Sequence, residues 1–219
     1  MLKKLTEEKQ MEILEAGISE FADKGMKGAS MSDIADKAGI SVGVLYKYYS
    51  DKEDFFMACV RRSIHALEQT LEEVIRTEDK LLGYAGKVIQ ALLTHAREHE
   101  DDIRLYHEIT SGSSRKYAAR MAKEIEGMTA RLYVHFIVRA QEEGSVRADA
   151  DPRMFAFFFD NLLMMLQFSC CCDYYRERFK LYCNDGEIPD DEHIRNELLK
   201  FMESAFTLER KDITHRRGR

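Results

Sequence analysis

Between Ser30 and Lys52 the chain reads SMSDIADKAGISVGVLYKYYSDK, and this stretch constrains the fold more than any other. It encodes two helices too short to stand alone, at a fixed separation. Ser30 is placed to cap the first, with Asp33 three residues on as return partner in a capping-box-like pair. Ile34, Ala35 and Ala38 recur at helical spacing, and Gly39 stops the helix because glycine enters the left-handed conformation without steric cost. Ser41 opens a second helix from Val42 to about Tyr48, and Ser50 with Glu53 repeats the capping pattern for a third. A helix, a short glycine-containing turn and a second helix form the helix-turn-helix layout, whose second helix enters the DNA major groove.

The rest of the chain reads as helix throughout. Two prolines and twelve glycines in 219 residues leave few breaks, and nearly every segment repeats its apolar residues at the 3.6-residue period. The expected fold class is all-α. Thr6 caps a first helix with Glu7 and Glu8 in its positive first turn, and Gly25 ends it. Further helices are expected from Asp51 to near Thr77, Leu81 to about Glu98 and Asp102 to Thr110. Others run from about Arg115 to Glu143, Arg153 to about Cys183, and Asp191 to about Leu208, with a basic tail LERKDITHRRGR. Pro152 takes the favoured first-turn position of its helix. The helix from Arg153 is apolar nearly all round, so it needs cover on both sides.

The formal net charge is −6, and residues 1–52 carry eight Lys against nine Asp or Glu. Bulk electrostatics therefore does not drive nucleic-acid binding, and a few placed donors, helix N-termini and backbone N–H groups have to supply phosphate contacts. MLKKLTEEKQ runs into an amphipathic helix without the apolar core of a secretory signal. The most apolar run, Met154 to Phe168, is interrupted by Asp160, Asn161 and Gln167. Five cysteines, three of them adjacent, do not make a disulfide framework. A cytoplasmic protein without a membrane partner is the expectation.

Three other constellations compete with the DNA reading. Gly39-Ile40-Ser41-Val42-Gly43 matches the Gly-x-Ser-x-Gly nucleophile pattern, but that motif needs a strand feeding the elbow, and here a helix precedes it. His95 and His99 share a helix face yet lack a third ligand nearby, so no metal is assigned. Cys170, Cys171 and Cys172 point about 100° apart on a helix and read as small buried hydrophobes. A thiol-based redox sensor or an all-helical enzyme is the alternative function.

The segment ILEAGISEFADKGMKGASMSDIADKAGISVGVLYKYYSDKEDFF resembles the N-terminal signature of the TetR family of transcriptional repressors. The likeness covers about residues 10 to 58. It rests on an apolar-Ala helix ending in Phe and Gly, an Ala-Gly-Ile-Ser turn, a Gly-x-Leu-Tyr-x-Tyr-Tyr helix, and Lys before an apolar helix. The resemblance implies a head over residues 1–50 that binds DNA, and a ligand-binding and dimerisation domain over 51–219. It implies a homodimer on a pseudo-palindromic double-stranded operator, with a small effector as second partner and no cofactor. By position, Ser30 and Ser32 would contact phosphate, and Val42, Gly43, Val44, Tyr46 and Lys47 would face the groove. Tyr48 and Lys52 match backbone contacts, whereas Leu45 and Tyr49 match core positions. Val44 departs from the Thr, Ser or Ala common there, so at that position only packing, as on a thymine methyl, is open.

In the second part, polar residues set within apolar helices are the expected ligand contacts: Tyr106, His107, Tyr133, His135, Asn161 and Gln167, with Met165 and Phe168 beside them. The helices over 153–183 and 191–208 are expected to pair with their two-fold mates, through apolar positions such as Leu198.

Overall fold

The computed structural model describes residues 5–75, 81–111 and 118–206, which form ten α-helices and no strand. The expected helix end at Thr77, the helix start at Arg115 and the basic tail lie outside the described residues. Helix α1 (Glu7–Gly28) begins on Thr6, whose hydroxyl accepts from the Lys9 N–H at 3.2 Å. Gly25, at φ 65°, breaks it as expected, and one further turn follows. Helices α2 (Met31–Lys37) and α3 (Val42–Tyr48) are joined through Gly39, at φ 64°.

The caps are only partly those expected. Ser30 Oγ accepts from Asp33 N at 3.3 Å, but the Asp33 carboxylate turns instead to Lys24 Nζ, 3.2 Å away. Ser41 occupies the N-cap of α3 without a side-chain cap bond. Helix α4 (Lys52–Ile75) starts one residue later than a Ser50 cap requires. Asp51 Oδ1 accepts from Asp54 N at 2.8 Å, and Asp54 Oδ2 accepts from Ser50 N at 3.0 Å. Aspartate displaces serine there because a carboxylate is the stronger acceptor at the positive end of a helix.

Ile13, Ile18, Phe21, Ile34, Leu45, Phe55 and Phe56 form one buried cluster, so the first turns of α4 belong to the core of the head. Gly17 permits this. A Cβ built on it would lie 2.5 Å from two ring carbons of Phe55 and 2.7 Å from Cys59 Sγ. Glu20, on the same helix and 0% exposed, holds Lys24 and Lys37 at 2.7 Å each. The two ammonium groups keep its carboxyl down to about 2, from 4.5. A depressed carboxyl contributes stability that is complete above its unfolded pKa and disappears as pH falls through the folded one. Both lysines are half-exposed, so screening holds the contribution to the order of 1 kcal/mol. Glu20→Gln is expected to lower Tm at pH 7 by about 2–4 °C. In thermal melts its curve should converge on the wild-type curve as pH falls from 4.5 toward 2.

The body is built from α5 (Leu81–Glu98), α6 (Glu100–Thr110), α7 (Ala118–Glu142), α8 (Pro152–Cys171), α9 (Asp173–Lys180) and α10 (Asp191–Phe206). Its core gathers Leu71, Tyr84, Ile89, Leu93, Tyr133, Ile137, Phe159 and Leu163. Asp151 caps α8 through a 2.8 Å bond from Arg153 N, ahead of Pro152. The helix expected to run to Cys183 is two helices. Cys172 is extended, at φ −104° and ψ 127°, so the three adjacent cysteines do not share one helix. Neither glycine nor proline marks that break. Arg176 holds it, donating from Nη2 to the Cys170 carbonyl at 2.6 Å.

Helix α8 is long and apolar enough to cross a membrane by length and composition, but 39% of its most apolar window is buried within this chain. One side packs into the core. The other leaves Met154, Phe157, Phe158 and Leu162 exposed, beside the exposed Phe201 of α10.

Candidate nucleic-acid interface and ligand cavity

Helix α3 sorts its residues as its period requires. Leu45 is buried, and the Tyr49 ring meets Phe55 edge-on at 4.7 Å. Val42, Gly43, Tyr46 and Lys47 are exposed, with Tyr46 at 50%, and Val44 is half-buried. Among the described residues nothing lies within 4 Å of a Cβ built on Gly43, so there the N-terminal end of α3 is open to a close approach. Ser32 is exposed on the first turn of α2, while Ser30 is half-buried and committed to its cap.

Tyr48 and Lys52 also work inside the head. Tyr48 Oη accepts from the Leu5 N–H at 3.0 Å. Lys52 Nζ donates to the carbonyls of Lys27 at 3.2 Å and Ala29 at 3.1 Å, tying the start of α4 to the end of α1. Lys52→Ala is therefore expected to lower the stability of the head by about 1 kcal/mol. It should also weaken binding to all DNA sequences alike and flatten the salt dependence by roughly one unit of log–log slope. Melting curves and a salt series of binding isotherms separate the two effects.

In the body, α4, α5, α6, α7 and α8 enclose a narrow cavity of about 60 Å³. Its apolar walls include Ile64, Leu67, Leu71, Leu92, Ile103 and Leu163. Tyr106, Tyr133 and Gln167 line it, as expected, and Met164, Glu126 and Asp160 join them. Tyr106 Oη donates to Glu126 Oε1 and lies 3.3 Å from Met164 Sδ. Burial raises the carboxyl of Glu126, while its hydrogen bond from Tyr106 opposes this. Burial, and then the nearby Glu126 charge, push Asp160 up to about 7.

The other expected ligand residues lie elsewhere, and helix phase explains most of them. On α8, residues 160, 163, 164 and 167 point into the cavity. Phe158, Asn161, Leu162 and Met165 line a separate apolar groove against Phe201 and Met202 of α10, and Asn161 Nδ2 donates to the Phe157 carbonyl at 2.7 Å. Phe168 is buried in a small cluster with Ala96 and Ile103. His107 meets the edges of Phe168 and Tyr175 outside the cavity, and His135 is exposed on α7. Glu126 and Asp160 escaped sequence reasoning because charged residues read as solvated. The available signal was Asp160 inside FAFFFDNLL, where no wet face exists to receive it.

A polar node joins the cavity wall to the head. Asp102 of α6, which lines the cavity, accepts from Arg62 Nη1 at 2.8 Å and from Ser63 Oγ at 2.6 Å. Arg62 also pairs with Glu15 of α1. The buried His95 stands 3.9 Å from Asp102, and burial lowers its pKa. The His95 and His99 rings lie 4.8 Å apart, tilted by 36°, but no group of three metal-ligating side chains occurs among the described residues. Burial raises the thiols of Cys170, Cys171 and Cys172, the last two to about 12 and about 11, which works against thiolate chemistry.

The described residues thus join an open helix-turn-helix, the layout of DNA-binding heads, to a helical body with a narrow cavity. Residues 13–59 match the family described as bacterial regulatory proteins, tetR family. The head of the chain therefore carries the signature of that family. It is 25% identical over 127 residues to the HTH-type transcriptional activator FasR of Mycolicibacterium smegmatis, an alignment spanning 58% of each chain. It is 22% identical over 140 residues, 64% of this chain and 70% of the other, to the HTH-type transcriptional repressor KstR2 of Mycobacterium tuberculosis. The structure of FadR from Bacillus subtilis in complex with stearoyl-CoA superposes with a TM-score of 0.74 at 16% identity, over 90% of this chain and 100% of that one.

Proposed function

We propose that the chain is a transcriptional repressor that binds a pseudo-palindromic operator as a homodimer and leaves it when a small, partly apolar effector enters the body. In this reading residues 1–50 carry the DNA-binding helices, whose core the first turns of α4 complete, and 51–219 carry the effector and dimer domain, at work in the cytoplasm. The groove-facing residues are Val42, Gly43, Val44, Tyr46 and Lys47, with Ser30, Ser32, Tyr48 and Lys52 on the phosphates. Arg62 carries the argument. It bonds at once to Asp102 on the cavity wall and to Glu15 on the first helix of the head. A ligand that parts α4 from α6 has to disturb this bond, and with it the set of the head. The cavity is too narrow for a drug-sized ligand without such a parting, because it holds about 60 Å³. Reversing a 99:1 population takes a preference of about 5.5 kcal/mol, so the effector must be buried and well matched.

The name of KstR2 supports repression and that of FasR supports activation. Gel shifts on the DNA upstream of the chain's own gene, paired with run-off transcription, test the choice. Retardation with reduced transcript fits repression, and retardation with increased transcript fits an activator. No retardation of any fragment defeats both. Stearoyl-CoA, the ligand in the FadR structure, is the first effector to titrate into that assay.

A further inference from the structure

We propose that the cavity takes a ligand bearing a protonated nitrogen with N–H donors, a primary or secondary ammonium on an apolar or aromatic body. This rests on reading the body as an effector domain, and it names the chemistry of that effector. The cavity wall has an excess of unanswered acceptors. Among the described residues the Glu126 carboxylate receives one hydrogen bond, from Tyr106 to Oε1. Asp160 has no hydrogen bond or ion pair among the described residues. Gln167 is only 5% exposed, and its Nε2 donates to the Leu163 carbonyl at 3.4 Å. That bond fixes the orientation of the amide, because reversing it would set two carbonyl oxygens together. Gln167 Oε1 is left buried without a partner.

These three acceptors line one cavity, Glu126 from α7 and Asp160 and Gln167 from α8, and call for donors. Among the described residues no Lys or Arg lines the cavity, and the Arg62 guanidinium beside it is already shared by Asp102 and Glu15. An unpaired carboxylate in an apolar enclosure is costly, and two that face one space are costlier. The raised titration of Asp160 is the sign of that cost. An ammonium group relieves it by bonding carboxylate and amide oxygens together. Tyr106 and Tyr133 also line the cavity, and aromatic rings attract cations. A ligand ending in carboxylate or phosphate meets the opposite field and is repelled.

The test uses the full chain, with calorimetry for binding and gel shifts on its operator for release. The probes are 2-phenylethylammonium, the neutral 2-phenylethanol, the anionic 3-phenylpropanoate, and stearoyl-CoA. The expected result is that the ammonium binds about tenfold or more tighter than the alcohol and the carboxylate does not bind. Asp160→Asn and Glu126→Gln, both of conserved shape, should each reduce ammonium affinity by about tenfold and leave the alcohol unchanged. Equal binding of amine and alcohol overturns the proposal, as does indifference of the amine to both variants or failure of every probe to bind. If the alcohol or stearoyl-CoA binds and releases DNA while the amine does neither, the ammonium assignment falls and the effector reading stands. If the amine binds with the expected variant pattern but operator affinity is unchanged, the ligand class stands and the effector reading falls.

Discussion

Phe158→Glu is expected to yield a monomer in sedimentation and to reduce operator affinity by about 100-fold or more, without contact with DNA. Phe158 is 54% exposed on α8, and Phe201 is 60% exposed on α10 across an apolar groove. Clustered exposed aromatics of this size mark an interaction surface, and a second copy of the same two helices is the self-complementary partner a two-fold axis provides. A carboxylate on each protomer would be buried unpaired against its mate. Losing the dimer loses the second half-site, and with it the gain of roughly 10²–10⁴ that linkage confers. Because Phe158 already faces solvent in the single chain, helicity by circular dichroism should be unchanged. A dimeric Phe158→Glu protein with full operator affinity would show that the interface lies elsewhere. Leu198, which its place on the last helix nominates for the same test, is half-buried against the core, and a charge there would damage the protomer itself.

Gly17→Val is expected to disable the head from its inside. The Cβ alone would stand 2.5 Å from Phe55 ring carbons and 2.7 Å from Cys59 Sγ, and valine adds two methyls to that overlap. Phe55 is fully buried and meets both Phe21 and Tyr49, so it cannot step aside without disturbing α1 and the residue that follows α3. Overpacking of this kind costs about 1–3 kcal/mol, or roughly 2–12 °C in Tm for a chain of this size. The recognition helix is braced by the same cluster, so DNA affinity should fall further than the melting temperature suggests. Melting curves and gel shifts on one preparation measure both. A Gly17→Val protein that melts and binds like wild type would mean that α1 and α4 are not held at this distance.

The head was legible because its signals are local. Ser30, Gly39, Leu45 and Tyr49 act within a few residues of themselves, through a cap, a left-handed turn and one helical face. The missed details were contests between neighbours: Asp51 outcompeted Ser50, and Lys24 drew Asp33 away from its reciprocal bond. In the body, apolar period told which segments are helices but not how each is rotated. Tyr106, Tyr133 and Gln167 line the cavity, whereas Asn161 and Met165 lie on the other side of α8. The break at Cys172 was hidden because it is held by Arg176, a tertiary bond, and not by a residue that stops helices. Asp160 was visible only as an interruption of an apolar run, since its meaning comes from Glu126 on another helix.

The exposed aromatic face of α8 and α10 also bears on inheritance. In the proposed dimer, chains would pair through it whatever the state of their heads, since that face takes no part in the head's core. In a cell carrying two alleles, a chain with a ruined head such as Gly17→Val would still be drawn into dimers with normal chains. Each mixed dimer would hold one working half-site reader, too few to occupy an operator. Alleles broken in the head would therefore be dominant over the normal gene, and alleles broken at Phe158 recessive to it.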